Sequence, residues 1–463
     1  MLIPVVDLSS LALPLPQRLT EWLTRASSFA LCQVAIRNAA QDVILALCRP
    51  LRCWVGPFSM TDEGMDSAIK CLDGGAAMVE MTADEAQRGE WVGVLERLMD
   101  GVPPEAVKRI ALAVEVSPGE SDHLPGLVGA LRGKVGWVKL TSRREGIDWM
   151  ALVASLKTAR GKDVQEDYMQ LVVEGAGVDG DLVATLQGKD VHVMAGAAVP
   201  MEEGQPSVCF SSLLPTANGG SAPASGGSSP SPSPPLDAVE CFTSCLTTDR
   251  PDGLFTTVVS DPGGIALGLV YSSVESIRVA IALQRGVYWS RSRKGLWRKG
   301  DTTGATQRLL RIEPDCDRDA VRFTVVQQGD PKAFCHRNTL TCWGPPTGIT
   351  ALEEVLQRRY HSAAPGSYTQ KLFNDPNLLR NKLLEEAQEL AEATEPDHVA
   401  AEAADLIYFA LTRCVAAGAT VHDVERHLDR RQLKVKRRAG NAKAHRIEAA
   451  DKALKEIRDG AKE

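Results

Sequence analysis

One low-complexity stretch constrains this 463-residue chain more than any other feature. Residues 217–237 are dominated by Gly, Ser, Pro and Ala, and such a segment cannot build a core because it has almost no apolar side chains to bury. We therefore predict a flexible linker over residues 216–237. It separates residues 1–215 from the remainder of a chain that is long enough for about three domains.

The block before the linker alternates short apolar runs with amphipathic, helix-like segments, which predicts an α/β domain with a mainly parallel sheet. The candidate strands are residues 3–6, 29–36, 52–55, 77–81, 110–116, 136–140, 170–173 and 191–194, and the candidate helices include residues 84–99 and 149–159. Eight strands suit a (β/α)₈ barrel, although the block is short for one. We expect a degenerate barrel that serves stability or assembly.

Two further blocks follow the linker. Residues 238–346 hold strand-like runs at 254–260, 265–271 and 320–328 and one helix near 274–284, which predicts a mostly antiparallel α+β domain. Residues 347–440 are rich in Ala, Leu, Glu and Arg, which predicts an all-α helical bundle. Residues 441–463 are polar and are expected to form a tail or a frayed helix.

Charge and composition exclude several classes of protein. A formal net charge of −7 argues against a general nucleic-acid binder. No apolar run approaches the roughly 18 residues of a membrane helix, and the start of the chain lacks a secretory leader, so we expect a cytoplasmic protein. Eleven cysteines in a chain of this length do not indicate a disulfide framework; they indicate buried thiols and a few metal ligands.

Three carboxylates alternate in the middle block, at Asp315, Asp317 and Asp319. In an extended strand these residues share one face, and three carboxylates on one face suit a hard cation such as Mg²⁺. The alternative is an acidic turn that faces solvent.

Three thiols of the same block, Cys316, Cys335 and Cys342, suit Zn²⁺ with one position left for water. Zinc lowers the pKa of bound water, and His336 is a candidate to act as general base or to orient that water. The alternative is that these are unrelated core cysteines beside a solvent-exposed histidine.

Residues 288–304 interleave Arg, Lys, Ser and Thr with aromatic residues and glycines, as a site for a phosphorylated ligand with a base would require. The alternative is a basic hairpin on the surface. The candidate substrate-binding residues are Trp289, Ser290, Arg291, Ser292, Arg293, Trp297, Lys299, Thr302 and Gly304.

In this order, the three motifs of the middle block resemble phosphoribosyl-AMP cyclohydrolase, over roughly residues 238–346. The resemblance implies that Asp315, Asp317 and Asp319 bind Mg²⁺ and that the three thiols bind Zn²⁺. It also implies a homodimer in which the cysteine at position 316 comes from the partner chain. The family often has Glu where this chain has Asp301, and usually Ser where it has Thr303.

Five carboxylates lie on two predicted helices. Glu385, Glu386 and Glu389 share one helix face, Glu402 and Asp405 share another, and the turn at Pro396 folds one helix onto the other. Like charges packed together are costly unless a cation neutralises them, so we expect Mg²⁺ between the helices. A solvated acidic face is the alternative, and we accept it for Glu392.

The spacing of these acids resembles the all-α nucleotide pyrophosphohydrolases, and residues 366–373 narrow the likeness to phosphoribosyl-ATP pyrophosphohydrolase. The resemblance covers about residues 347–435. It implies that Mg²⁺ held by the five carboxylates clamps the triphosphate, with Lys371 and Lys382 as phosphate partners. The products implied are pyrophosphate and phosphoribosyl-AMP.

Together the two likenesses identify a fungal-type bifunctional enzyme of histidine biosynthesis. They imply the second and third steps of the pathway: hydrolysis of phosphoribosyl-ATP, then opening of the adenine ring to the ProFAR aminoimidazole carboxamide intermediate. Because the chain stops at Glu463, we expect no histidinol dehydrogenase domain. The alternative is a metal-stabilised nucleotide-binding scaffold in which only the pyrophosphohydrolase is active.

The first predicted strand ends at Asp7 and is similar to the first strand of the phosphoribosyl-binding barrels of the same pathway, where this place holds a catalytic Asp. The paired-glycine phosphate loops of those barrels are not evident. We therefore expect Asp7 to cap the end of the strand.

Overall fold

The computed structural model contains two compact units, residues Met1–Cys342 with Leu433–Lys436, and residues Trp343–Gln432 with Arg437–Glu463. The residues that it describes are 2–9, 11–29, 34–48, 50–82, 91–100, 102–117, 123–142, 144, 146–156, 169–175, 178–187, 189–209 and 235–435, with Lys452 and Lys455. Apart from those two lysines, the predicted tail at residues 441–463 lies outside the described residues.

The predicted (β/α)₈ barrel is present. Eight parallel strands pair in chain order, and the first strand closes the barrel on the last through Leu2–Val193 and Ile3–Met194. The strands are β1 (Leu2–Asp7), β2 (Val34–Arg37), β3 (Cys53–Ser59), β4 (Met78–Thr82), β5 (Ile110–Glu115), β6 (Trp137–Ser142), β7 (Gln170–Gly175) and β8 (Val191–Ala195). All eight candidate strands of the sequence correspond to these, although residues 30–33 of the second lie outside the described ranges.

Short helices connect the strands and cover the outside of the barrel. They are α1 (Gln17–Ala26), α2 (Gln41–Leu47), α3 (Asp62–Asp73), α4 (Trp91–Leu98), α5 (Pro104–Val107), α6 (Leu124–Leu131), α7 (Trp149–Leu156) and α8 (Gly180–Gln187). Their boundaries follow local chemistry: α3 begins where the Thr61 hydroxyl accepts the Gly64 N–H. Of the two candidate helices of the sequence, residues 84–90 and 157–159 lie outside the described ranges.

The last residues of the predicted linker join a small sheet. Residues 210–234 of the linker region lie outside the described ranges, but its last two residues form β11 (Leu236–Asp237), which pairs with β9 (Ala197–Val199), itself paired with β10 (Val208–Cys209). The Asp237 carboxylate then accepts the Val239 and Glu240 N–H groups and starts α9 (Ala238–Thr243). The barrel and the following block therefore form one compact unit with a continuous apolar core, to which the Phe29–Phe242 ring pair contributes.

The middle block is built on a four-stranded sheet. Its strands are β12 (Phe255–Ser260), β13 (Ala266–Ser272), β16 (Gln307–Pro314) and β17 (Ala320–Gln327), in the spatial order β13-β12-β17-β16. Two pairings are antiparallel and the central one, β12 with β17, is parallel. Between β13 and β16 come α10 (Val274–Leu283), which a Ser273–Ser276 capping box starts, and the hairpin β14 (Val287–Ser290) and β15 (Gly295–Arg298).

The second unit is helical, as the residue composition predicted. Its helices are α11 (Gly348–Ser362), α12 (Tyr368–Asn374), α13 (Pro376–Glu392), α14 (Pro396–Ala416) and α15 (Val421–Gln432). Pro376 and Pro396 occupy the first turns of α13 and α14, where the missing N–H costs nothing. Among the described residues, no single helix is long and apolar enough to cross a membrane; α14 and α15, which meet at a bend of 108°, pass that test only as a pair.

Candidate active sites

An aspartate loop connects β16 to β17. Asp315, Asp317 and Asp319 bring one carboxylate oxygen each to within 4.8 Å of one another. The prediction of an extended strand is wrong, because the residues form a bend with Arg318 at a φ of 69°; the predicted convergence of the three acids nevertheless holds. Repulsion from Asp317 and Asp315 raises the pKa of Asp319, which is the electrostatic signature of a group suited to a hard divalent cation.

A pair of thiols lies in the loop that follows β17. Cys335 and Cys342 are hydrogen-bonded to each other, and the Cys342 N–H donates to the Leu267 carbonyl at 2.8 Å, which holds this loop against the sheet. The backbone N–H of Arg337 lowers the pKa of the Cys335 thiol, whereas burial and the neighbouring Cys335 raise that of Cys342. The pair therefore offers soft donors to a metal, and His336 Nδ1 lies 3.9 Å from the Cys335 sulfur.

The third predicted thiol is placed differently. Cys316 is exposed in the aspartate loop, and no cluster of three donors within the described residues joins it to Cys335 and Cys342. One chain thus presents two of the three predicted zinc ligands together.

A pocket of about 540 Å³ opens beside the β14–β15 hairpin. Five predicted substrate-binding residues line it: Trp289, Ser290, Arg291, Ser292 and Trp297. Aromatic and hydroxyl groups with one guanidinium are the donors and stacking surfaces that a phosphorylated ligand with a base requires.

Four other predicted substrate-binding residues lie outside the pocket lining. Arg293, Thr302 and Gly304 are exposed on turns. Lys299 is buried, and its ammonium group donates to the carbonyls of Ala333 at 3.1 Å and Ala305 at 3.4 Å. Lys299 therefore supports the loop that carries the thiols.

The helical unit gathers carboxylates where α13 faces α14. Glu386, Glu389 and Glu402 each bring an oxygen to within 4.8 Å of the others, and Glu386 is buried. Burial, reinforced by repulsion from Glu386 and Glu402, raises the pKa of Glu389. A divalent cation would relieve this repulsion, so the donor set fits Mg²⁺.

The remaining predicted residues of this site surround the cluster or lie apart from it. Lys382 contacts Glu385 at 2.8 Å and Glu386 at 2.9 Å; burial disfavours the charged ammonium, but these hydrogen bonds raise its pKa overall. Asp405 is exposed and does not join the cluster of described donors, so its role as a metal ligand stays a prediction. Lys371 is exposed on α12.

Two family models match the chain over the segments that carry these sites. A model of phosphoribosyl-AMP cyclohydrolase matches residues 268–344, and a model of phosphoribosyl-ATP pyrophosphohydrolase matches residues 349–432. The histidine biosynthesis bifunctional protein HisIE of Synechocystis sp. is 34% identical over 195 residues, which cover 39% of this chain and 90% of that protein. The chain belongs to this family of histidine biosynthesis bifunctional proteins.

Fungal relatives are more similar in sequence, but the match covers a smaller share of their length. The bifunctional histidine biosynthesis protein of Schizosaccharomyces pombe is 53% identical over 196 residues, 42% of this chain and 46% of that protein. The trifunctional protein of Komagataella pastoris is 54% identical over 204 residues, 44% of this chain and 24% of that protein. The chain thus spans less than half the length of these relatives.

Two residues near these sites escaped the sequence analysis. Tyr271 lines the pocket, and its ring contacts the guanidinium groups of Arg291, 4.1 Å from the ring centre, and of Arg250, at 4.3 Å. His398 lies 3.1 Å from Glu402, four residues along the same helix. That i,i+4 spacing was a usable signal for His398, whereas the contacts of Tyr271 join segments that are distant in the sequence.

The barrel precedes both matched segments in the sequence. Asp7 accepts hydrogen bonds from the Ser9 N–H at 2.9 Å and from Asn38 Nδ2 at 2.7 Å, so it caps the end of β1. Inside the barrel, Lys139 contacts Glu80 at 2.7 Å and Glu174 at 2.5 Å. Trp54 and Arg37 also bind Glu80, which leaves the buried carboxylate fully paired.

Proposed function

We propose that this protein catalyses two consecutive hydrolyses of histidine biosynthesis. The helical unit converts phosphoribosyl-ATP to phosphoribosyl-AMP and pyrophosphate, and the middle block opens the adenine ring of phosphoribosyl-AMP to the ProFAR aminoimidazole carboxamide intermediate. The supporting observation is that one chain carries, within its two matched segments, a thiol pair, an aspartate loop and a separate glutamate cluster.

In the helical unit, Glu386, Glu389 and Glu402 would hold Mg²⁺, with Glu385 and Asp405 as further proposed ligands. When bound, Mg²⁺ neutralises the triphosphate and polarises the bond that breaks. Lys382 would exchange one carboxylate partner for a phosphate oxygen, because its ammonium already lies at the edge of the cluster. Lys371 is a second candidate phosphate partner.

In the middle block, Asp315, Asp317 and Asp319 would hold Mg²⁺, and Cys335 and Cys342 would hold Zn²⁺ with Cys316 of a second chain. Zinc supplies a hydroxide nucleophile near neutral pH when it is bound. His336, next to Cys335, is placed to accept a proton as the ring is attacked. Trp289 and Trp297 would stack on the base while Arg291 and the pocket hydroxyls hold the phosphate.

The exposed position of Cys316 supports a homodimer in which each zinc site uses both chains, since its own chain does not bring it to the thiol pair. Co-expression of Cys316→Ser and Cys342→Ser chains tests this arrangement. Each variant alone should lack cyclohydrolase activity, whereas the mixed dimer retains one intact site, so about a quarter of normal activity should return. If all three ligands came from one chain, mixing would restore nothing.

A turnover assay tests the proposed function directly. The full chain is incubated with phosphoribosyl-ATP, Mg²⁺ and Zn²⁺, and substrate, phosphoribosyl-AMP and ring-opened product are separated by chromatography. Ring-opened product is the expected result, and it requires that Asp301 and Thr303 are tolerated. Accumulation of phosphoribosyl-AMP alone would reject the cyclohydrolase and favour the scaffold alternative for the middle block.

The site chemistry also bears on location and partners. The proposed zinc site is built from thiols, and a thiolate zinc site needs a reducing compartment to stay intact. We therefore place the protein in the cytoplasm, where its partners are its two small-molecule substrates and a second copy of itself.

A further inference from the structure

A second groove, which shares no lining residue with the sites described above, lies between the helical layer of the barrel and the edge strand β16. Its volume is about 720 Å³, within the range of small-molecule sites. Three elements of the same compact unit form its walls: α1, the segment that leads into β3, and β16. Four arginines and one glutamate lie in its lining, namely Arg25, Arg52, Arg308, Arg311 and Glu21.

The acids near this arginine groove are already engaged. Glu21 accepts a hydrogen bond from Gln17 at 2.9 Å and lies 3.8 Å from Arg25. Glu313, the acid near Arg311, makes its shorter contact with Arg322, at 2.7 Å against 3.8 Å for Arg311. The two carboxylates near the groove therefore offset only part of the charge of its four arginines.

Two of the cations make no direct ion pair within the described ranges. The guanidinium groups of Arg52 and Arg308 are exposed, although Arg52 attracts Glu313 and helps to lower the pKa of that carboxyl. Arg25 is more deeply placed: its Nε donates to the Ala282 carbonyl at 3.2 Å, and burial lowers its pKa. This groove thus has a half-buried guanidinium on one wall and more exposed guanidinium groups on the others.

Such an arrangement favours a multiply charged anion. Like charges on facing walls repel, and each planar guanidinium can bind a phosphate group through two parallel hydrogen bonds. A single carboxylate could engage only one or two of these groups. We propose that the arginine groove binds a small molecule that carries two or more linked phosphate groups. This site is separate from both metal clusters and from the pocket at Trp289, so it does not depend on the catalysis proposed above.

Calorimetric titration of the full chain in magnesium-free buffer tests the proposal, with inorganic pyrophosphate and ATP as the probes. The test variant is Arg52→Ala/Arg308→Ala. The matched control is Arg18→Ala/Arg97→Ala, which removes the same charge from exposed residues outside the groove. Circular dichroism verifies folding, and Arg52→Gln/Arg308→Gln replaces the alanine pair if that variant is unstable.

We expect the unsubstituted protein to bind at least one probe. The groove variant should bind it at least about tenfold more weakly, because two charge-assisted contacts are lost, while the control stays within about twofold. Binding of pyrophosphate means that linked phosphates alone suffice, and binding of ATP alone means that a nucleoside is also recognised. The proposal is overturned if neither probe binds, or if the groove variant binds as tightly as the control.

Discussion

Arg318 Nη1 donates a hydrogen bond of 2.6 Å to the backbone carbonyl of Gln187, the last residue of helix α8 in the barrel. Nη2 of the same side chain binds Asp190 Oδ1 at 2.8 Å. Arg318 stands between Asp317 and Asp319 in the aspartate loop, so the barrel holds the loop that we propose to bind Mg²⁺. This contact gives the amino-terminal block a physical role in the chemistry of the middle block.

Substitution of Arg318 should therefore impair the cyclohydrolase without touching substrate. Loss of two hydrogen bonds from a charged donor frees the loop, and we expect Arg318→Ala to lower kcat/KM for phosphoribosyl-AMP about tenfold or more. The Mg²⁺ concentration that gives half-maximal cyclohydrolase activity should also rise. General destabilisation of the protein would not change that concentration. Arg322→Ala, which removes an exposed arginine four residues away, should change activity less than about threefold. Equal losses in both variants would contradict the role of Arg318.

The glutamate cluster should be indispensable to the helical unit. Glu386→Gln removes a buried ligand, and we expect release of pyrophosphate from phosphoribosyl-ATP to fall at least about 100-fold. Ring opening of added phosphoribosyl-AMP should be unchanged, because that chemistry lies in the other unit. The matched control is Glu392→Gln on the same helix, which should retain pyrophosphohydrolase activity. A similar loss in the control would show that helix charge, and not metal ligation, is the cause.

Breaking the ion pairs of Lys139 with Glu80 and Glu174 inside the barrel should lower the free energy of unfolding. Lys139→Met removes one of two cations, Lys139 and Arg37, that contact both Glu80 and Glu174, and the loss of one partner of a buried pair costs about 3–5 kcal/mol. Lys134→Met removes a lysine that pairs with the exposed Glu96 and should cost less than about 1 kcal/mol. Urea unfolding followed by tryptophan fluorescence measures both, since Trp54 and Trp137 lie inside the barrel. Similar midpoints for the two variants would contradict the structural role of the network.

The ionisation of Asp237 should make the free energy of unfolding depend on pH under acidic conditions. Its burial works against ionisation, but hydrogen bonds from Arg278 and the Glu240 N–H lower its pKa below that of a free aspartate. Because the folded-state pKa is the lower one, ionised Asp237 stabilises the fold above the unfolded pKa of about 3.9, and this contribution is lost as the pH falls through the folded pKa.

The test compares thermal unfolding of Asp237→Asn with the unsubstituted protein from pH 7 to pH 3. We expect a deficit of about 1–2 kcal/mol near neutrality, since the cap and the Arg278 contact weaken. The deficit should shrink below about pH 4, where the carboxylate itself becomes neutral. A deficit that stays constant down to pH 3 would exclude the ionisation of Asp237 as its source.

The amino-acid sequence by itself determined the features that depend on local spacing. Apolar runs of four to eight residues separated by helical segments predicted all eight barrel strands, since the period of hydrophobic residues reports local geometry. Glu386, Glu389 and Glu402 could be placed on facing helices because i,i+3 spacing and the turn at Pro396 define both faces. Asp315, Asp317 and Asp319 were correctly grouped, although the chain brings them together by a bend.

Contacts between distant segments were decided only by the tertiary structure. Leu236, which the sequence placed in the linker, pairs with Ala197 in a small sheet. No local sequence pattern predicts such a pairing. The sequence predicted that Lys299 binds substrate, but packing buries its ammonium group against the loop that carries Cys335 and Cys342. The Arg318–Gln187 contact and the arginine groove join residues more than one hundred positions apart. Their geometry depends on how the barrel packs against the sheet, which is set by the shared apolar core and not by either segment alone.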